Sequence, residues 1–104
     1  MKKVLMAIED NKEILQRIRN MLGQSELSSG LAEEAAELSV AASKYARVIR
    51  GLNPTPVQDV EADENLQEEF ADAFLYAWLV GIDTNMVAKI IDRKSKRWAS
   101  RLGM

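Results

Sequence analysis

Two short stretches of the 104-residue chain hold the side chains whose spacing suits chemistry: residues 31–38 read LAEEAAEL and residues 66–73 read LQEEFADA. Leu31, Glu33, Glu34, Glu37 and Leu38 align with Leu66, Glu68, Glu69, Asp72 and Ala73, so the two segments look like copies of one unit. At about 100° per residue, Glu34 with Glu37 and Glu69 with Asp72 form i, i+3 pairs at the shoulder of an apolar stripe. Packing two such helices together brings four carboxylates face to face. Two unit charges about 4 Å apart repel by about 1 kcal/mol in water and about 4 kcal/mol at an effective dielectric of 20, so the cluster calls for a cation. Hard divalent ions prefer oxygen donors, and Mg²⁺ sites combine a few carboxylates with water and phosphate oxygens, which points to Mg²⁺ with Mn²⁺ as its substitute. A lone Glu-Glu-x-x-Glu is ordinarily a solvated helix face. Its repetition is what singles out Glu34, Glu37, Glu69 and Asp72 as metal ligands.

Composition removes most competing chemistries. The chain has no cysteine and no histidine, which excludes thiol nucleophiles, disulfides, zinc fingers, histidine-based triads and the histidine-containing di-iron bundles. Five glycines, two prolines and 47% hydrophobic residues suit one helical domain spanning residues 1–104. The opening MKKVLMAIEDNKE is too short in its apolar run for a signal peptide or membrane span, so a cytoplasmic protein without membrane contact is expected. Charge is uneven. Between Glu33 and Asp72, ten acids oppose only Lys44, Arg47 and Arg50, a balance of −7. Between Lys89 and Arg101, six bases oppose only Asp92, a balance of +5. A sequence pI near 5.2 argues against nucleic acid as a partner, and the basic tail reads as a solvated face or as a counterpart to the acids.

Periodicity and punctuation predict four helices that must position these groups. The first runs over about Val4–Leu22, with Val4, Ile8, Leu15, Ile18 and Leu22 on one face. The second runs over about Ser28–Arg50, with Leu31, Ala35, Leu38, Ala42 and Ile49 as its stripe. Pro54 and Pro56 in LNPTPVQD predict a loop. A third helix, over about Asp63–Val80, is expected to start on an Asp63 cap and close at Gly81, and a fourth follows the Asp83/Thr84 signal to Leu102, burying Val87, Ile90, Ile91, the Lys94 stem and Trp98.

The paired EEAAE and EEFAD segments, in the contexts LAEEAAEL and NLQEEFADAFLYAWL, resemble the MazG-like family of all-α nucleoside triphosphate pyrophosphohydrolases over about Leu31–Arg97. The spacer from Glu37 to Glu69 is longer than that family's pattern. The resemblance implies a four-helix bundle completed by oligomerisation, as a homodimer or homotetramer. It also implies Mg²⁺-dependent hydrolysis of a nucleoside triphosphate at the α phosphate, giving the monophosphate and pyrophosphate. Glu33 and Glu68, flanking the ligands, are then candidates for orienting the attacking water. Lys94 and Arg97 in DRKSKRW resemble the bases that follow the metal helices in the family and would meet the phosphates, with Lys44 a further substrate-binding candidate. The alternative is a non-catalytic helical scaffold whose acidic faces pair with the basic tail.

Overall fold

The computed structural model of the protein describes residues 1–51 and 59–104. The described residues form five helices and no strand: α1 (Lys2–Asp10), α2 (Lys12–Met21), α3 (Gln24–Ile49), α4 (Asp59–Gly81) and α5 (Thr84–Arg101). The all-α class read from periodicity is therefore observed. The loop expected from Pro54 and Pro56 falls on residues 52–58 and lies outside the described residues.

Three expected boundaries differ, each for a local reason. The first predicted helix is two helices, because Asn11 leaves helical geometry at φ −108° and ψ 14°. Its side-chain amide donates to the Ala7 carbonyl at 2.8 Å, the kind of local bond by which asparagine competes with the helical ladder. α3 starts four residues before the expected Ser28, since Leu27 is wholly buried and draws the Gln24–Leu27 turn into the helix. Asp63 is no cap. α4 begins at Asp59, leaving Asp63 one turn inside, where its carboxylate accepts from the Gln67 side chain at 3.3 Å.

The main packing is α3 against α4. Leu27 and Ala41 of α3 and Ala62, Ala73 and Leu79 of α4 are buried, a set dominated by small side chains that lets the two backbones approach closely. At Gly30 the contact is tight: an added Cβ would run into the ring of Tyr76. The buried face of α3 is thus rotated from the expected stripe: Leu31 and Leu38 are half-buried as expected, Ala35, Ala42 and Ile49 are exposed, and the seam runs through Leu27, Gly30, Glu34 and Ala41.

Ile8 and Leu15 join Leu27 and Leu79 in the core, with Ile18, Phe74, Tyr76, Trp78 and Val80 packed around them. α4 ends in a side-chain cap that joins three helices. Arg19 of α2 donates to the carbonyls of Leu79 at 3.1 Å and Trp78 at 3.0 Å, and Gln24 of α3 donates to that of Val80 at 2.7 Å. Last-turn carbonyls lack intrahelical partners, and a guanidinium there also meets the negative end of the helix dipole. Gly81 then takes φ 126°, a conformation that costs a side-chain-bearing residue dearly, and ends the helix.

α5 departs furthest from expectation. Its start is as read, with Asp83 accepting from the Met86 amide at 3.0 Å. None of its side chains is fully buried: of the face that the sequence predicted to pack, Val87, Ile91, Lys94 and Trp98 are exposed and Ile90 is half-buried. Consistent with an outlying helix, the radius of gyration is 16.6 Å, against about 13 Å for a compact chain of this length. Among the described residues, no helix is long and apolar enough to cross a membrane.

Candidate metal centre

The α3·α4 seam, set by Gly30 against Tyr76, carries Glu34 and Glu69 into the packed zone instead of leaving them at its edge. Both are half-buried, and each has one carboxylate oxygen, Oε2, that is buried with no hydrogen-bond partner among the described residues. Glu37, one turn along α3 from Glu34, is exposed and completes a triad: one oxygen from each of Glu34, Glu37 and Glu69 lies within 4.8 Å of the others.

Both half-buried acids hold their protons more tightly than usual. Glu34 is raised above the ordinary 4.5 first by desolvation, then by the charges of Glu37 and Asp72, by hydrogen bonding with Glu37 and by Glu33. Glu69 is raised by desolvation, then by Glu37 through charge and hydrogen bonding, and by Asp72 and Glu34. With every group ionised no donor is available, so the two buried oxygens stand bare. A proton shared with Glu37 would convert a repulsive contact into a hydrogen bond.

The donor set fits a hard divalent cation. Three carboxylates whose oxygens lie within 4.8 Å of one another supply the hard oxygen donors that such an ion prefers, and side-chain adjustment would bring them onto one ion. A cation would neutralise the charge and partner the two bare oxygens together. Three of the four expected ligands therefore converge. Asp72 is outside the triad and lines a small apolar cavity of about 200 Å³ with Leu15, Ile18 and Tyr76. It still faces the cluster closely enough to raise both glutamates.

The other sequence-predicted residues are placed less closely. Glu33 and Glu68 are exposed, Glu33 near enough to act on the charge of Glu34. Lys44 is half-buried on α3, two turns beyond Glu37, while Lys94 and Arg97 are exposed on α5, where with Trp98, Arg101 and Leu102 they line a shallow hollow of about 250 Å³. The ion pairs among the described residues are Lys12–Glu9 and Lys96–Asp92, each at 3.0 Å and local to one stretch of chain. None of the three substrate candidates is ion-paired with the triad, so the basic tail does not neutralise the acids within the described chain. The site has one further feature that sequence reasoning missed, a groove of about 310 Å³ beside the triad with Ala36, Val40 and Ala41 as apolar lining and Glu37, Asn65 and Glu69 as polar lining. Its sequence signal was the Ala-rich i, i+4 run that the misplaced stripe passed over.

No family model, curated protein sequence or solved structure matches this chain.

Proposed function

We propose that the chain is a Mg²⁺-dependent nucleoside triphosphate pyrophosphohydrolase of MazG-like type, hydrolysing its substrate to the monophosphate and pyrophosphate and working as a homodimer or homotetramer that completes a four-helix bundle. The observation that carries this is the triad of Glu34, Glu37 and Glu69, with two buried oxygens that nothing in the described chain satisfies. These residues would hold the ion, with Asp72 placed to complete its surroundings through water. Mn²⁺ would serve in place of Mg²⁺. A bound divalent cation supplies charge neutralisation at phosphate oxygens and makes water a better nucleophile at neutral pH. Glu33 and Glu68, exposed beside the ligands, would accept the proton of the attacking water and fix its direction. Lys94 and Arg97 would bind the triphosphate tail through charge-assisted hydrogen bonds, and Lys44 would extend that contact along α3. No glycine-rich phosphate loop accompanies the acids in the sequence, so recognition of phosphate falls to the cation and to these bases.

The test is incubation of the full chain with a panel of nucleoside triphosphates, with Mg²⁺ and with EDTA, followed by chromatography of the products. Monophosphate and pyrophosphate, formed only with Mg²⁺, are expected. Diphosphate with inorganic phosphate would move the attack to another phosphorus, and absence of turnover would remove the hydrolase.

A second function, a non-catalytic helical scaffold, is favoured by α5, on which Val87, Ile91 and Trp98 are exposed. In that case Arg97→Ala would leave nucleotide binding and turnover with nothing to lose, whereas in the hydrolase it raises KM or lowers kcat.

A further inference from the structure

We propose that α5 of one copy of the chain docks on the acid-rimmed groove of a second copy, seating Trp98 between α3 and α4 and setting Arg97 and Lys94 beside the carboxylate triad. This deepens the homo-oligomer reading by naming the two surfaces that meet, and it rests on self-association alone, not on hydrolysis.

Three observations single out this occupant. α5 presents Val87, Ile91, Trp98 and Leu102 along one face, all exposed, with Trp98 at 68%. A helix with an apolar stripe must bury it to gain stability. The groove beside the triad supplies an apolar lining of Ala36, Val40 and Ala41, and Val40 is 67% exposed although it adjoins the buried seam. Charge then decides between partners. The α5 stretch from Lys89 to Arg101 carries +5, and the segment from Glu33 to Asp72 carries −7, a complement that no ion pair among the described residues satisfies within one chain. A basic amphipathic helix would also suit an anionic bilayer. The groove and its bare acids have no role there, whereas a second copy accounts for both surfaces. Each copy offers one helix and one groove, so two copies that exchange helices would satisfy both contacts in a closed two-fold dimer. The indole is the natural anchor, since large aromatics flanked by arginine dominate the energetics of such contacts.

The chain has no cysteine, so two introduced thiols report the contact without interference. Ser95 lies on the same face as Ile91 and Trp98, four residues after one and three before the other. Equimolar Ser95→Cys and Val40→Cys chains, mixed and mildly oxidised, are expected to give a covalent dimer containing one of each chain. Sedimentation of the wild type is expected to show a dimer that loosens as salt rises. Trp98→Ala and Val40→Arg, both at exposed positions and checked for unchanged helicity, are each expected to raise the dimer Kd by roughly thirtyfold, with the double variant falling short of the product of the two effects. A monomeric wild type would overturn both this proposal and the homo-oligomer reading. A dimer indifferent to both substitutions, or one whose thiols do not cross-link, would overturn this interface and leave self-association standing. Flotation of a monomer with vesicles of phosphatidylserine and phosphatidylcholine would overturn it in favour of a membrane surface. None of these readouts involves Mg²⁺ or nucleotide, so hydrolysis stands or falls separately.

Discussion

Tyr76 lays its ring over Gly30, filling the space that a β-carbon there would need. The contact fixes how far α3 can slide along α4, and with it the position of Glu34 relative to Glu69. Gly30→Ala should therefore destabilise the protein even though alanine favours a helix interior by about 1 kcal/mol. Overpacking costs about 1–3 kcal/mol and outweighs that gain. In a Tyr76→Ala background the same change should become neutral or stabilising. Urea midpoints of the two single variants and the double variant check this, and additive losses would mean that ring and glycine are not in conflict.

Mg²⁺ should stabilise the folded chain after EDTA treatment, by about 2.7 kcal/mol at a hundredfold excess over its Kd. Glu37→Gln should abolish the gain, since it removes one of the three converging oxygens. Thermal melting with and without Mg²⁺ reads the effect, and a wild type indifferent to the ion would leave the triad as surface acids.

Acidity should act on the ion-free protein in the direction opposite to that of salt-bridged acids. Glu34 and Glu69 are raised above 4.5, so between 4.5 and their higher folded values the native state binds more protons than the unfolded chain. Stability from this cluster then falls as pH rises through that window and levels off above it. Relative to the Glu34→Gln/Glu69→Gln double variant, the wild type should gain stability between pH 7.5 and pH 5. The Mg²⁺ effect should shrink over the same interval, because protons and cation compete for the same oxygens. Parallel pH profiles for the two proteins would show that the cluster is not coupled to folding.

Arg19→Met should cost about 1–3 kcal/mol by leaving the carbonyls of Trp78 and Leu79 without a donor. Gln24→Ala should cost less, about 0.5–1.5 kcal/mol, having one neutral bond to lose. Hydrogen exchange localised to the last turn of α4 distinguishes this from a general loss of packing, which would speed exchange throughout.

Which parts of the molecule the sequence made legible follows from the range of the forces involved. The Asp83 cap, the end at Gly81 and the helical class were readable because each is decided within a turn or two. The acid pairs were readable because their spacing repeats. What escaped was long-range. Leu27 is buried in a core with Ile8, Leu15 and Leu79, residues far from it along the chain. Glu34 was placed at the shoulder of a stripe drawn one position further along the helix, through Leu31, Ala35 and Ala42, whereas the seam follows Gly30, Glu34 and Ala41, with small residues whose value lies in the backbone approach they permit. Lys94 and Arg97 were assigned to the phosphates by resemblance, and a resemblance in sequence does not fix where α5 lies.

Each side of the short joint at Ile82–Asp83 is sealed by its own bonds: Arg19 and Gln24 hold the last turn of α4, and Asp83 holds the first turn of α5. A swing of α5 about that joint would break none of them, so neither helix would fray as the other turned. Torque on the arm would accordingly stop at Gly81 and leave the spacing of Glu34 and Glu69 untouched. The basic helix and the acid pair are thus secured by separate sets of bonds, and a substitution that opens one set leaves the other formed.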